Sequence, residues 1–171
     1  MTTHSASSKS SNSQQIHPRR VTFQFSTQIP RLWLRDSSIL THLPNGTNLF
    51  LSVFESYLVR TIQGQLRTLH DSELRSQVKG MLGQEINHSQ AHQQYNEVLR
   101  QQGYQFETYL KCVQWFFDRL IPRLPLSLQL GIIAGFEHLT ASISDVIFHH
   151  QLLAEADSTV QEERSPQPIL N

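Results

Sequence analysis

The strongest constraint on this chain is a long proline-free run with helical spacing between Asp71 and Gln102. Its stripe reads Leu74, Val78, Met81 or Leu82, Glu85, His88, His92, Tyr95 and Leu99, at the three- and four-residue steps of one helix face. That face is apolar at both ends and ionisable in the middle. Burying a carboxylate and two imidazoles costs on the order of several kcal/mol unless they are paired or bind a metal. The chain must therefore either leave the middle of its best helix in water or build a partner for it. Asp71 supplies a start signal for this helix and Gly103 a stop.

The other segments supply partners. After Gly46 a second stripe appears at Leu51, Phe54, Leu58, Ile62 and Leu66, with Thr47 or Asn48 as its cap. Pro30 and the Pro44-Asn45-Gly46 cluster read as breakers, with Leu32, Trp33 and Leu34 between them as irregular chain docked on the body. Residues 21–25 alternate and could lay Phe23 and Phe25 on a core. A third helix is expected over about 106–120, rich in Tyr109, Val113, Trp115, Phe116 and Phe117, and broken by Pro122 and Pro125. A fourth begins near Pro125, with Leu130, Ile133, Phe136, Glu137, Thr140, Ile143, Ile147 and Leu152 on its stripe. No credible strands and no solenoid repeat appear. The expected fold class is all-α, a helical bundle of about four useful helices.

At 171 residues and 19.7 kDa the chain suits one domain. Residues 1–18 read as a disordered polar tail, 19–157 as a helical metal-binding domain, and 158–171 as a loose C-terminal tail. Fourteen basic residues balance fourteen acidic ones, so no general field draws in nucleic acid. One cysteine, Cys112, excludes an internal disulfide and a cysteine-based zinc site, and points to a reducing, cytoplasmic setting. Among bulky neighbours it reads as a core thiol. No stretch approaches the roughly 20 apolar residues of a spanning helix; the longest, 124–136, is interrupted by Pro125, Ser127 and Gln129. The first residues carry no apolar signal segment.

Two further carboxylates complete the chemical pattern. Glu55 lies between Phe54 and Leu58, and Glu137 lies in the apolar stretch 133–139. The chain order is then Glu55, Glu85-x-x-His88, Glu137. A di-iron or di-manganese bundle takes one glutamate from each of two helices and a Glu-x-x-His from each of the other two. Three of the four pieces are present. No second Glu-x-x-His follows Glu137, and His149, twelve residues on, sits about 18 Å farther along a helix. Carboxylate and imidazole donors favour iron or manganese, with zinc possible as the divalent ion.

The sequence resembles a bacterial family known as predicted metal-dependent hydrolases, a ferritin-like helical family. The resemblance rests on Arg19-Arg20, Phe23, Phe25, Ile29-Pro30-Arg31, Trp33, Thr41-His42-Leu43, Phe54-Glu55 and Glu73-Leu74-Arg75. It continues through Gly83-Gln84-Glu85, His88, His92, Asn96, Gly103-Tyr104 and Glu137-His138-Leu139-Thr140-Ala141. It extends from about Arg19 to Asp157, and its most specific part is the Gly-Gln-Glu-x-x-His-x-x-x-His block. The resemblance implies Glu55, Glu85, His88 and Glu137 as metal ligands, with His92 a further ligand or a group supporting one. Family members continue into another helix with its own histidine and glutamate motif. Here 161–171 stand in its place, so a ferritin-like bundle lacking its last metal-ligating helix is the expectation, as from a truncated version.

The functional expectation is a metal-dependent hydrolase-type protein acting on a small molecule, with a metal-activated water and Glu137 as the catalytic proton shuttle. The alternatives are a di-iron oxygenase-type enzyme, or a non-catalytic helical interaction protein that pairs with a second copy through the groove a last helix would fill.

Overall fold

The computed structural model describes Phe25 and residues 29–149. The expected tails, Val21 to Phe23 apart from Phe25, Leu152 and His150 lie outside the described residues. Among the described residues there are four α-helices and no strand: α1 (Ser38–Gln65), α2 (Ser72–Gln101), α3 (Glu107–Trp115) and α4 (Leu126–His149). The all-α helical bundle is what the hydrophobic periodicity called for.

Helix α2 begins and ends where its signals stand. The Asp71 carboxylate accepts from the Glu73 and Leu74 amides at 2.8 and 3.2 Å, satisfying donors that the first turn leaves open. After Gln101 the chain reverses at Gly103, whose φ of +82° a side chain would strain. Asp71→Ala is expected to cost about 1 kcal/mol, read as a lower urea midpoint with an unchanged slope; an unchanged midpoint would remove the cap from the account.

Helix α1 corrects the sequence reading. It starts at Ser38, and Pro44, Asn45 and Gly46 lie inside it. Ser37 caps the first turn by accepting from the Leu40 amide. Pro44 removes one helical donor, but tertiary contacts on both sides hold this turn. Thr41 is fully buried and accepts from the Leu34 amide at 3.2 Å. The Asn45 side chain accepts from Trp33 Nε1 at 3.1 Å and from the Tyr95 hydroxyl at 2.9 Å. Packing overrides the local breaker chemistry. The irregular segment before it docks as expected: Ile29, Trp33 and Leu34 are buried against Val98, with Phe25 and Tyr95 at the edge.

The main core joins α1 to the second half of the molecule. Phe54, Tyr57 and Leu58 pack with Phe117, Ile121 and Ile133. Between α3 and α4 the chain widens into a π-helical turn at Phe116–Leu120, then a 3-10 turn at Ile121–Arg123. The wider turn changes which side chain faces inward. Phe117 is buried, whereas Trp115 and Phe116 are 60 % and 40 % exposed, Phe116 lying edge-on to Phe117. Cys112 is exposed as well, not a core thiol.

Helix α4 is more apolar than the sequence reading allowed. Leu126–Ile147 is a 22-residue stretch of mean hydropathy 1.3. It is the one helix among the described residues long and apolar enough to cross a membrane by length and composition, and only 6 % of it is buried. The reading that ended the stretch at Phe136 counted Pro125 as a break, but the helix starts just after it. One face, Ile132, Ile133 and Phe136, meets the core. Leu139, Ile143 and Val146 are about half exposed.

Candidate metal centre

Helices α1 and α2 are joined by a short turn and run antiparallel. Glu55 meets His88, Ser56 meets Ser89 and Ser52 meets Asn96, so the earlier residues of α1 face the later residues of α2. The seam between them is polar. From α1 it carries Asn45, Asn48, Ser52, Glu55 and Ser56, again at helical spacing. From α2 it carries His88, Ser89, His92 and Asn96, one turn apart.

Glu55 is at the middle of this seam and is 3 % exposed. Its Oε1 lies 2.9 Å from His88 Nδ1 and 3.2 Å from His92 Nε2. The two imidazole rings stand 4.5 Å apart. Each of the three residues offers one ligand atom, and these atoms lie within 4.8 Å of one another. Two buried atoms in the cluster have no hydrogen-bond partner, Glu55 Oε2 and His92 Nε2. The approach of His92 Nε2 to Glu55 Oε1 is close but lacks hydrogen-bond geometry. Buried polar atoms left unpaired are costly, and a carboxylate oxygen beside an imidazole nitrogen is a pair of lone-pair donors. A divalent cation satisfies both at once. Two histidines with one carboxylate also form a familiar set for iron and for zinc. The residues present therefore fit a metal ion.

Electrostatics agree. Burial pushes the Glu55 carboxyl up, but the hydrogen bond it accepts from His88 and the nearness of both imidazoles outweigh it and hold it below the usual range. The Glu55 hydrogen bond raises His88, against the opposing effect of burial. Burial, then the negative fields of Glu137 and Glu55, push Glu85 up to about 7. Glu137 is raised by burial and by Glu55. Several carboxylates crowd one region, as at sites that take a proton or a cation between them.

Of the five candidate ligands, Glu55, His88 and His92 converge. Glu85, one turn before His88 on α2, and Glu137, on α4, are half-buried and within reach of the cluster's field, but outside the converging set. His149 pairs with Asp145 at 3.2 Å on the exposed surface of α4. A cavity of about 390 Å³ touches Ser52 and Asn96 but none of the five, so it adjoins the centre without containing it.

Sequence reasoning took Asn48 for a possible helix cap, whereas it lies inside α1, and it overlooked Ser52. His92 Nδ1 lies 2.5 Å from Asn48 Oδ1. The signal was there, as polar residues at three- and four-residue steps through Asn45, Asn48, Ser52 and Glu55. Treating Pro44-Asn45-Gly46 as a break hid the first turn of that stripe.

A family model described as "Predicted metal-dependent hydrolase" matches residues 17–162. The chain belongs to that family. No curated protein and no solved structure gives a significant match.

Proposed function

We propose that the chain, as a member of the predicted metal-dependent hydrolases, holds one divalent metal ion between Glu55, His88 and His92 and uses it to hydrolyse a small molecule. The observation that carries this is the pair of buried, unpartnered atoms, Glu55 Oε2 and His92 Nε2, in a cluster whose three ligand atoms lie within 4.8 Å of one another. A bound divalent ion would supply Lewis acidity and a water of lowered pKa. Iron and manganese suit this donor set, and zinc does as well. Glu55 supplies the negative charge of the site from a position closed to solvent. Glu85 is raised to about 7, so it can take a proton and return it near neutral pH, and burial raises Glu137 in the same direction. Glu137 is the proposed proton shuttle, with Glu85 and Glu137 able to close on the ion as additional ligands. A cytoplasmic setting is proposed on the same ground as before, a single cysteine, here exposed.

The test is elemental analysis of untagged protein, as purified and after incubation with iron, manganese or zinc salts. Near-stoichiometric metal supports the proposal and licenses assays of ester and amide hydrolysis alongside oxygen consumption. No metal under any condition would sink it.

Metal affinity is expected to rise with pH. Protons compete for the same atoms, because His88 is raised by its bond to Glu55 and Glu85 is raised to about 7. Each displaced proton makes apparent affinity climb about tenfold per pH unit until its group is deprotonated. A manganese titration from pH 5.5 to 8 checks this, and a flat profile would contradict it. The metal-free protein should behave oppositely. Glu85 has a folded value near 7 against the ordinary 4.5. The folded state thus holds that proton more tightly, and stability falls as pH rises between those values. His88, raised in the fold, adds stability below its ordinary 6.5 that is lost as pH climbs through its folded value.

A second reading, a helical interaction protein, draws on the half-exposed apolar face of α4 at Leu139, Ile143 and Val146. Sedimentation of metal-free and metal-loaded protein separates the two: a dimer with no metal uptake favours the second.

A further inference from the structure

The polar groups behind His92 form a chain whose hydrogen-bond direction is set at both ends. The Ser52 hydroxyl donates to the Leu49 carbonyl at 2.8 Å. A carbonyl only accepts, so Ser52 Oγ is left to accept, and Asn96 Nδ2 donates to it at 3.0 Å. That turns Asn96 Oδ1 toward Asn48, whose Nδ2 donates to it at 2.6 Å. The same Asn48 Nδ2 lies 3.4 Å from the His92 carbonyl, a second group that can only accept. Asn48 therefore has one orientation, with Oδ1 facing His92 Nδ1 at 2.5 Å. An amide oxygen accepts, so Nδ1 must carry the hydrogen.

We infer that Ser52, Asn96 and Asn48 form a positioning relay that keeps a hydrogen on His92 Nδ1, so that Nε2, beside Glu55, is the ring nitrogen left to bind a metal. The inference deepens the metal reading proposed above and rests on it for its purpose, though the tautomer itself is a property of the metal-free chain. Without the relay the imidazole has a better choice. Glu55 Oε1, 3.2 Å from Nε2, is a charged acceptor that a turn of the freed ring would bring into line with an Nε2–H. The site would then close on itself with a hydrogen where the ion belongs. Asn48 is the decisive member, because it alone touches the ring. Asn96 and Ser52 act through it by excluding the flipped amide. Groups that orient a ligating histidine in this way typically change metal affinity by about 10–100-fold when removed.

The test reads the tautomer directly. Protein labelled with ¹⁵N-histidine is examined at pH 8, with no metal, by long-range ¹H–¹⁵N correlation, the His92 signals being assigned through His92→Gln. Wild type is expected to show the protonated-nitrogen shift at Nδ1 and the lone-pair shift at Nε2. Asn48→Leu is expected to move the hydrogen to Nε2 and to weaken manganese(II) binding, followed by electron paramagnetic resonance, by about 10–100-fold. Asn48→Asp loses the donor to Asn96 but keeps an acceptor facing the ring, and is expected to retain the hydrogen on Nδ1. A wild-type spectrum with the hydrogen on Nε2 overturns the inference without any variant having to fold. So does an Asn48→Leu protein that keeps both the Nδ1–H tautomer and full manganese affinity. The expected wild-type tautomer in a protein that takes up no manganese leaves the relay standing and brings down the metal reading instead.

Discussion

Glu55→Gln is expected to weaken manganese binding more than ~100-fold, beyond what the loss of a supporting group costs, while the helical fold persists. The side chain keeps its shape and loses its charge. Glu55 is the one carboxylate in the converging set, and it is buried. Its charge is what two imidazoles and a cation would share. The variant also removes the main cause that raises His88, the hydrogen bond from Glu55. The His88 titration, followed by NMR, should therefore move down toward the ordinary histidine value. A Glu55→Gln protein that binds manganese as wild type does would show that the ion is held elsewhere. Unchanged far-ultraviolet circular dichroism is the control that separates a lost ligand from a lost fold.

Phe54→Ala, one residue earlier, is expected to lower stability by about 3–5 kcal/mol. At about 2–4 °C per kcal/mol for a chain of this size, the thermal midpoint drops on the order of 10 °C. Phe54 is fully buried. Its ring stacks on Phe50 at 6.1 Å and meets Phe117 at 5.7 Å and Phe136 at 4.9 Å. These rings tie α1 to the π-helical turn and to α4. Truncation leaves a cavity where several elements meet, and α4 carries Glu137. The variant should bind metal at a temperature where it is still folded, since Glu55 lies on the neighbouring face. Trp115→Ala, at an aromatic that is 60 % exposed, is the contrast and should stay within about 0.5 kcal/mol of wild type. Equal losses from the two truncations would mean the core is not where the rings place it.

Much of α2 was legible because its signals are local. Asp71 caps the next two amides, Gly103 takes the left-handed turn, and the stripe between them repeats at helical period. The placing of Glu85, His88 and His92 on one face follows from period alone. The start of α1 was not legible, because Pro44 and Gly46 oppose a helix locally. Their turn survives through Thr41 and Asn45, whose partners are Leu34, Trp33 and Tyr95 in other segments. Nor did composition say which of Trp115, Phe116 and Phe117 is buried: the change from α3 to a wide turn at Phe116–Leu120 has no local signal, and Phe117 alone of the three is buried.

What the sequence determined by itself was therefore the helical class, the span of α2, and an ionisable patch that needed a partner, since periodicity and capping act over one or two turns. Only the tertiary structure decided which partner that was. The antiparallel docking of α1 on α2 buried Glu55 against both histidines and set Asn48 behind His92. It left Glu85 and Glu137 at the edge of the cluster, near enough for their charges to act on one another and on Glu55.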